Sequence, residues 1–198
     1  MKILYIHGLG SSGQSRTAKV LQNHYKEYIV YNPDIPFEPN EALNFVRELA
    51  YSIKVDIVIA TSLGAFYAMQ ISNQKKILIN PAMYADIDIE KSIGLGTYKY
   101  FSKRVDNIDT YTIDKEYLDK LRKMREWFYG QCMIDDEFSK GAVGLFGLND
   151  LLFSHIEDFS EDYPFAKIIS GDFSHRLEEK DIFDYLIPQI DKMLNNKE

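Results

Sequence analysis

The sequence predicts an α/β protein built on a mostly parallel sheet, and three observations carry that prediction. Six short apolar runs rich in β-branched residues recur along the chain. Helical patterns separate most of them, which implies parallel strands joined by right-handed crossovers. The composition is globular: 198 residues, 45% hydrophobic and 27% charged, are enough for one domain with its own core.

The apolar runs are residues 3–6, 28–31, 55–60, 76–79, 142–146 and 166–169. Several are apolar at consecutive positions, as expected of strands covered on both faces. Between them, 15–26 reads as a helix with a serine at its start. Residues 39–53 read as another, with Ala42, Phe45, Val46, Leu49 and Ala50 at helical spacing. Residues 63–72 and 181–194 give two more. From 82 to 141 the rhythm breaks: two or three helices and many aromatics are expected there, with no buried strand. We read 82–141 as a helical cap inserted over one end of the sheet, within a single domain spanning 1–198.

The formal net charge of −7 disfavours nucleic acid as a partner. Lys99, Lys103 and Arg104 are the nearest thing to a basic patch and read as a solvated face. A single cysteine, Cys132, allows no disulfide within the chain and fits a reducing compartment. No apolar run approaches membrane-spanning length, so no membrane span is expected and the location predicted is cytoplasmic. The histidines are scattered without metal-ligand spacing, so no metal site is expected. Asp135-Asp136-Glu137 reads as a solvated acidic turn. Oligomeric state is not legible.

The chemistry is concentrated in a few loops. In Ile57-Val58-Ile59-Ala60-Thr61-Ser62-Leu63-Gly64-Ala65 a buried strand ends, a serine follows and a helix begins, the layout of a nucleophile elbow. The usual pattern is G-x-S-x-G, so Ala60 departs from it by one methyl. The other reading of Ser62 is a helix cap. After the first strand comes His7-Gly8-Leu9-Gly10-Ser11-Ser12-Gly13, the kind of loop that gives one backbone N–H to an oxyanion hole. The residue after the nucleophile gives the other. These donors are assigned to Leu9 and Leu63. The same loop also matches a dinucleotide fingerprint, Gly8-x-Gly10-x-x-Gly13 with Asp34 near the end of the next strand. That Rossmann reading leaves Ser62 without a role.

A serine nucleophile needs a base, and the base an orienting acid, in the chain order Ser, Asp, His. His175 follows the last strand on a loop before the final helix, from which its imidazole can return to the elbow. His7 is expected to shape the oxyanion loop, His24 to be exposed and His155 to be structural. Asp150 ends the penultimate strand's turn and is preferred as the acid, with Asp172 as the competitor.

Together, His7–Gly13, Ala60–Gly64, Gly147–Asp150 and Gly171–His175 resemble the small bacterial YqiA/YcfP-like esterase family, along with Asn32-Pro33-Asp34 and Asn80-Pro81. The resemblance implies an α/β-hydrolase fold with carboxylesterase or thioesterase activity and no cofactor. It carries Ser62, Asp150 and His175 over as the triad. Compared with a full-length hydrolase the chain starts at what would be the third strand, so a reduced sheet of about six strands is expected. The substrate expected is a small-molecule ester or thioester, cleaved through an acyl-enzyme. The same triad serves peptides and C–C bonds as well, and a binding module without catalysis is the remaining alternative, motivated by Ala60 and the long insertion.

Overall fold

A computed structural model describes residues 1–131 and 136–195. Cys132, Asp135 and the side chains of Asp136 and Glu137 lie outside that description. Six parallel strands form the central sheet: β1 (Lys2–Ile6), β2 (Ile29–Tyr31), β3 (Ile57–Thr61), β4 (Lys76–Ile79), β7 (Ala142–Gly147) and β8 (Lys167–Gly171), in the order β2-β1-β3-β4-β7-β8. All six apolar runs become strands of this one sheet.

The consecutive apolar residues are divided between two faces. Leu4, Ile6, Val58, Ala60, Leu78 and Phe146 enter one core, and Ile3, Tyr5, Ile57, Ile59, Ile77 and Leu145 enter the other. This is the period-two alternation of a strand buried on both sides. The first core is closed by α2 (Pro39–Ser52), α3 (Leu63–Met69) and α7 (Ile156–Asp162), through residues such as Val46, Phe66 and Phe159. The second is closed by α1 (Arg16–His24) and the C-terminal helix, through Leu21, Ile187 and Ile190. That last helix runs as α8 (Glu179–Asp181), a π-helical turn (Ile182–Leu186) and α9 (Ile187–Asn195).

Local signals set the helix starts. Ser15 caps α1, its side chain accepting from the Ala18 N–H. In α2 the Glu38 side chain accepts from the Glu41 N–H, and Pro39 occupies the first turn, where no intrahelical N–H bond is lost.

Residues 82–141 differ in part from expectation. Helices α4 (Ala85–Ser92), α5 (Lys115–Gln131) and α6 (Asp136–Ser139) match it, but β5 (Gly96–Lys99) and β6 (Thr110–Ile113) form an antiparallel hairpin as well. The hairpin is half-exposed and polar on its outer face, with Thr97 and Thr112 hydrogen-bonded across it at 2.9 Å. A strand pair of that kind carries no buried apolar run to mark it. Arg104 also departs from expectation. It is buried, donating to Asp106 and to the Ile35 carbonyl, whereas Lys99 and Lys103 stay exposed. Among the described residues no helix is long and apolar enough to cross a membrane.

Candidate active site

Every strand of interest ends at the same edge of a parallel sheet, so loops far apart in sequence meet there. The turn after β3 holds Ser62 at φ 54° and ψ −121°, a region that non-glycine residues rarely occupy. Backbone bonds hold it: the Ser62 N–H donates to Ile79 at 2.9 Å, and its carbonyl accepts from Phe66 at 3.1 Å and Ala82 at 3.2 Å. Gly64 has no room for a side chain, since a Cβ would lie 2.4 Å from the His7 carbonyl and 2.6 Å from that of Ile6. Ala60 faces no such obstacle. Its methyl sits fully buried in the core, in register with Ile6 and Leu78. The helix-cap reading of Ser62 does not hold, because its hydroxyl makes no cap bond to α3.

The hydroxyl turns instead to His175, whose Nε2 lies 3.0 Å from Ser62 Oγ. On the other side of the ring, Nδ1 lies 2.7 Å from Asp150 Oδ2. The Asp150 carboxylate is 1% exposed, so water does not compete for it, and its second oxygen accepts from the Leu152 N–H at 2.8 Å. Phe153 packs edge-on against the imidazole, with ring centroids 4.8 Å apart. The competing acid, Asp172, is exposed and accepts from the Asn149 side-chain amide. His155 pairs with Asp88 at 3.0 Å and with Asp158 at 3.2 Å. Burial works against its charge, but the hydrogen bond and charge of Asp88, and then of Asp158, outweigh burial and raise its pKa. It stays with those carboxylates, as its structural reading anticipated.

Leu9 and Leu63 line the same cavity as Ser62 and His175. Leu63 is the first residue of α3, so its N–H has no intrahelical acceptor. The loop carrying Leu9 is braced by His7. Its Nε2 accepts from the Ile35 N–H at 3.0 Å, which places the proton on Nδ1, donated to the Gly8 carbonyl at 3.0 Å. Burial is the main cause of a His7 pKa lowered to about 4, so the ring is neutral at physiological pH. Gly10 takes φ 70°, and the Phe101 N–H donates to its carbonyl at 2.7 Å, joining the loop to the segment after β5.

The dinucleotide reading fails on two counts. The strand order is not the 3-2-1-4-5-6 of that fold. Asp34 is also engaged in the structure: its two oxygens accept from the N–H groups of Gly13 at 2.8 Å and Val105 at 2.6 Å.

Asn80, just after β4, joins the site although its Asn80-Pro81 motif carries no role along the sequence. Its Nδ2 donates to the carbonyls of Ser174 and His175 at 3.2 and 3.1 Å, and its Oδ1 accepts from the Gly147 N–H at 2.8 Å. It thus ties the loop bearing His175 to the strand end preceding Asp150. Its φ of 41° was foreshadowed by residue type, since asparagine tolerates left-handed backbone better than most.

Ser62 opens onto a cavity of about 710 Å³, within the range of small-ligand sites. Of the many aromatics in 82–141, Tyr98, Phe101 and Tyr111 line it, with Ile89 from α4 and Ile93 just after that helix. Tyr117 and Phe128 pack into the core instead.

The fold has counterparts among known proteins. No curated protein matches the sequence. Among solved structures, Est1E from Butyrivibrio proteoclasticus superposes with a TM-score of 0.69 at 15% identity, covering 98% of this chain and 88% of that one. A monoacylglycerol lipase from Paleococcus ferrophilus gives 0.67 at 12% identity, covering 99% and 95%. Alpha/beta hydrolase domain-containing protein 10 from mouse gives 0.67 at 14%, covering 98% and 89%. At such identities the likeness speaks to fold. The sequence itself matches the profile of Uncharacterised protein family UPF0227 over residues 2–133, more than half its length. The expected kinship is therefore borne out: this chain has the α/β-hydrolase fold and belongs to the family UPF0227.

Proposed function

We propose that the protein is a serine hydrolase that cleaves a carboxylic ester or thioester through an acyl-enzyme. The observation that carries this reading is the continuous hydrogen-bonded line from Asp150 through His175 to a strained Ser62, at 2.7 and 3.0 Å. Ser62 Oγ attacks the carbonyl carbon while His175 Nε2 takes its proton. Asp150 holds the Nδ1–H and stabilises the imidazolium that forms. The N–H groups of Leu9 and Leu63 receive the charge developing on the carbonyl oxygen, each donor worth about 3 kcal/mol in the transition state. The imidazolium then gives its proton to the leaving oxygen or sulfur as the carbonyl reforms. Water attacks the acyl group in the second half, losing a proton to His175, which returns it to Ser62.

The esterase and lipase named among the structural relatives are consistent with this chemistry. Within it, residues 82–141 act as a cap on a single domain. Residues of α4 and the hairpin share the cavity with Ser62, which supports that role. Labelling with a fluorophosphonate tests the reading: wild type should be labelled and a folded Ser62→Ala protein should not. Equal labelling of both, or of neither, would sink it.

A further inference from the structure

The charges lining the cavity run against those of the chain. In a protein of net charge −7, Arg16, Lys99 and Arg176 line the cavity beside one carboxylate, Glu178. Arg16 is paired with Glu178. Lys99 and Arg176 have no carboxylate partner among the described residues. The Arg176 guanidinium lies 3.8 Å from the centroid of the Phe101 ring. Stacking uses the face of a guanidinium and leaves its N–H edge open, the edge that binds carboxylate or phosphate.

Position assigns these cations to one half of the substrate. The imidazole of His175 must reach the leaving atom to protonate it, so the leaving group lies against the loop after β8. Arg176 is the next residue on that loop, and Phe101 beneath it is tied to Gly10 beside the Leu9 donor. Lys99 stands two residues before Phe101 and lines the same cavity. The apolar lining comes from elsewhere, from Ala82, Ile89 and Ile93 around α4.

Resting on the hydrolase reading above, we propose that the substrate carries an anionic group, a phosphate or carboxylate, on its leaving alcohol or thiol. Arg176 and Lys99 bind that group, and an apolar acyl chain lies along α4. The cations select which ester enters productively, and the triad does the chemistry on whatever is bound.

Three esters decide this: nitrophenyl butyrate, its analogue with a carboxylate on the phenol ring, and nitrophenyl hemisuccinate, whose carboxylate is on the acyl side. The ring-carboxylated ester should be favoured over the neutral one in kcat/KM by about tenfold, as two partly exposed charge pairs allow. The hemisuccinate should be disfavoured. The preference should shrink at high ionic strength and fall severalfold in Arg176→Gln and Lys99→Gln. Because the readout is a ratio of two substrates on one enzyme, a general loss of activity cancels. Competitive inhibition by phenyl phosphate or by benzoate, whichever is tighter, identifies the anion. An active enzyme with a ratio near one, a ratio unmoved in both variants, or inhibition by neither anion overturns the proposal. Failure to hydrolyse any of the three esters would overturn the hydrolase reading instead.

Discussion

Acidification should cost the protein stability through His7, the residue that braces the loop bearing Leu9. Its ring is buried and accepts from the Ile35 N–H, so a proton on Nε2 would put two donors face to face. Folded, its pKa is lowered to about 4; unfolded, it returns to about 6.5. Above 6.5 both states are neutral and the native loop keeps its full stability. Between 6.5 and 4 the unfolded chain binds the proton and the folded one does not, so stability falls as pH falls through this window. At about 1.4 kcal/mol for each unit of pKa, the loss reaches about 3 kcal/mol. His7→Gln is the control, because its amide oxygen can take over the acceptor role of Nε2 and does not titrate. Urea unfolding of both proteins from pH 7 to pH 4 isolates the term, since every other titrating group is shared and cancels. The difference in unfolding free energy should close by about 3 kcal/mol toward acid. A difference that stays constant across this range would refute the reasoning, and His7 would then be titrating in the folded state much as it does in water.

Further outcomes follow from the same geometry. Asp150→Asn should lower kcat by about 10⁴-fold, as the histidine loses its tautomer, while Asp172→Asn should leave ester turnover within about twofold; steady-state kinetics on one activated ester compares them. Gly64→Ala should destabilise by about 3 kcal/mol in urea unfolding, because the added methyl meets backbone carbonyls that have little room to move. Ala60→Gly should cost about 1 kcal/mol and bring no gain in kcat, since the extra methyl is already accommodated in the core. Asn80→Ala should reduce kcat with little change in KM and lower stability by about 2 kcal/mol, as it leaves the Gly147 N–H without its acceptor.

Much of this molecule is legible along the chain because its signals are local. Runs such as Ile77–Ile79 and Val143–Leu145 are apolar at every position, which only a strand covered on both faces requires. The elbow was visible because one tight turn after a strand needs small residues within a few positions of the serine. That the loops bearing His175 and the acid candidates share an edge with Ser62 was legible from strand order, since in a parallel sheet every strand delivers its following loop to one edge. Other features required coordinates. That the preferred Asp150, and not Asp172, lies against Nδ1 is a contact across 25 residues that no spacing encodes. The role of Asn80 depends on carbonyls more than 90 residues away. Arg104 read as surface charge because its burial depends on a carbonyl at Ile35, on another part of the chain. The β5–β6 hairpin escaped notice because its outward residues are polar and its inward ones, Tyr111 and Ile113, find their core only after folding. The sequence determined the periodic burial and the turn chemistry, which act over a few residues; tertiary structure decided which distant polar groups satisfy one another, because a buried hydrogen bond depends on proximity in space.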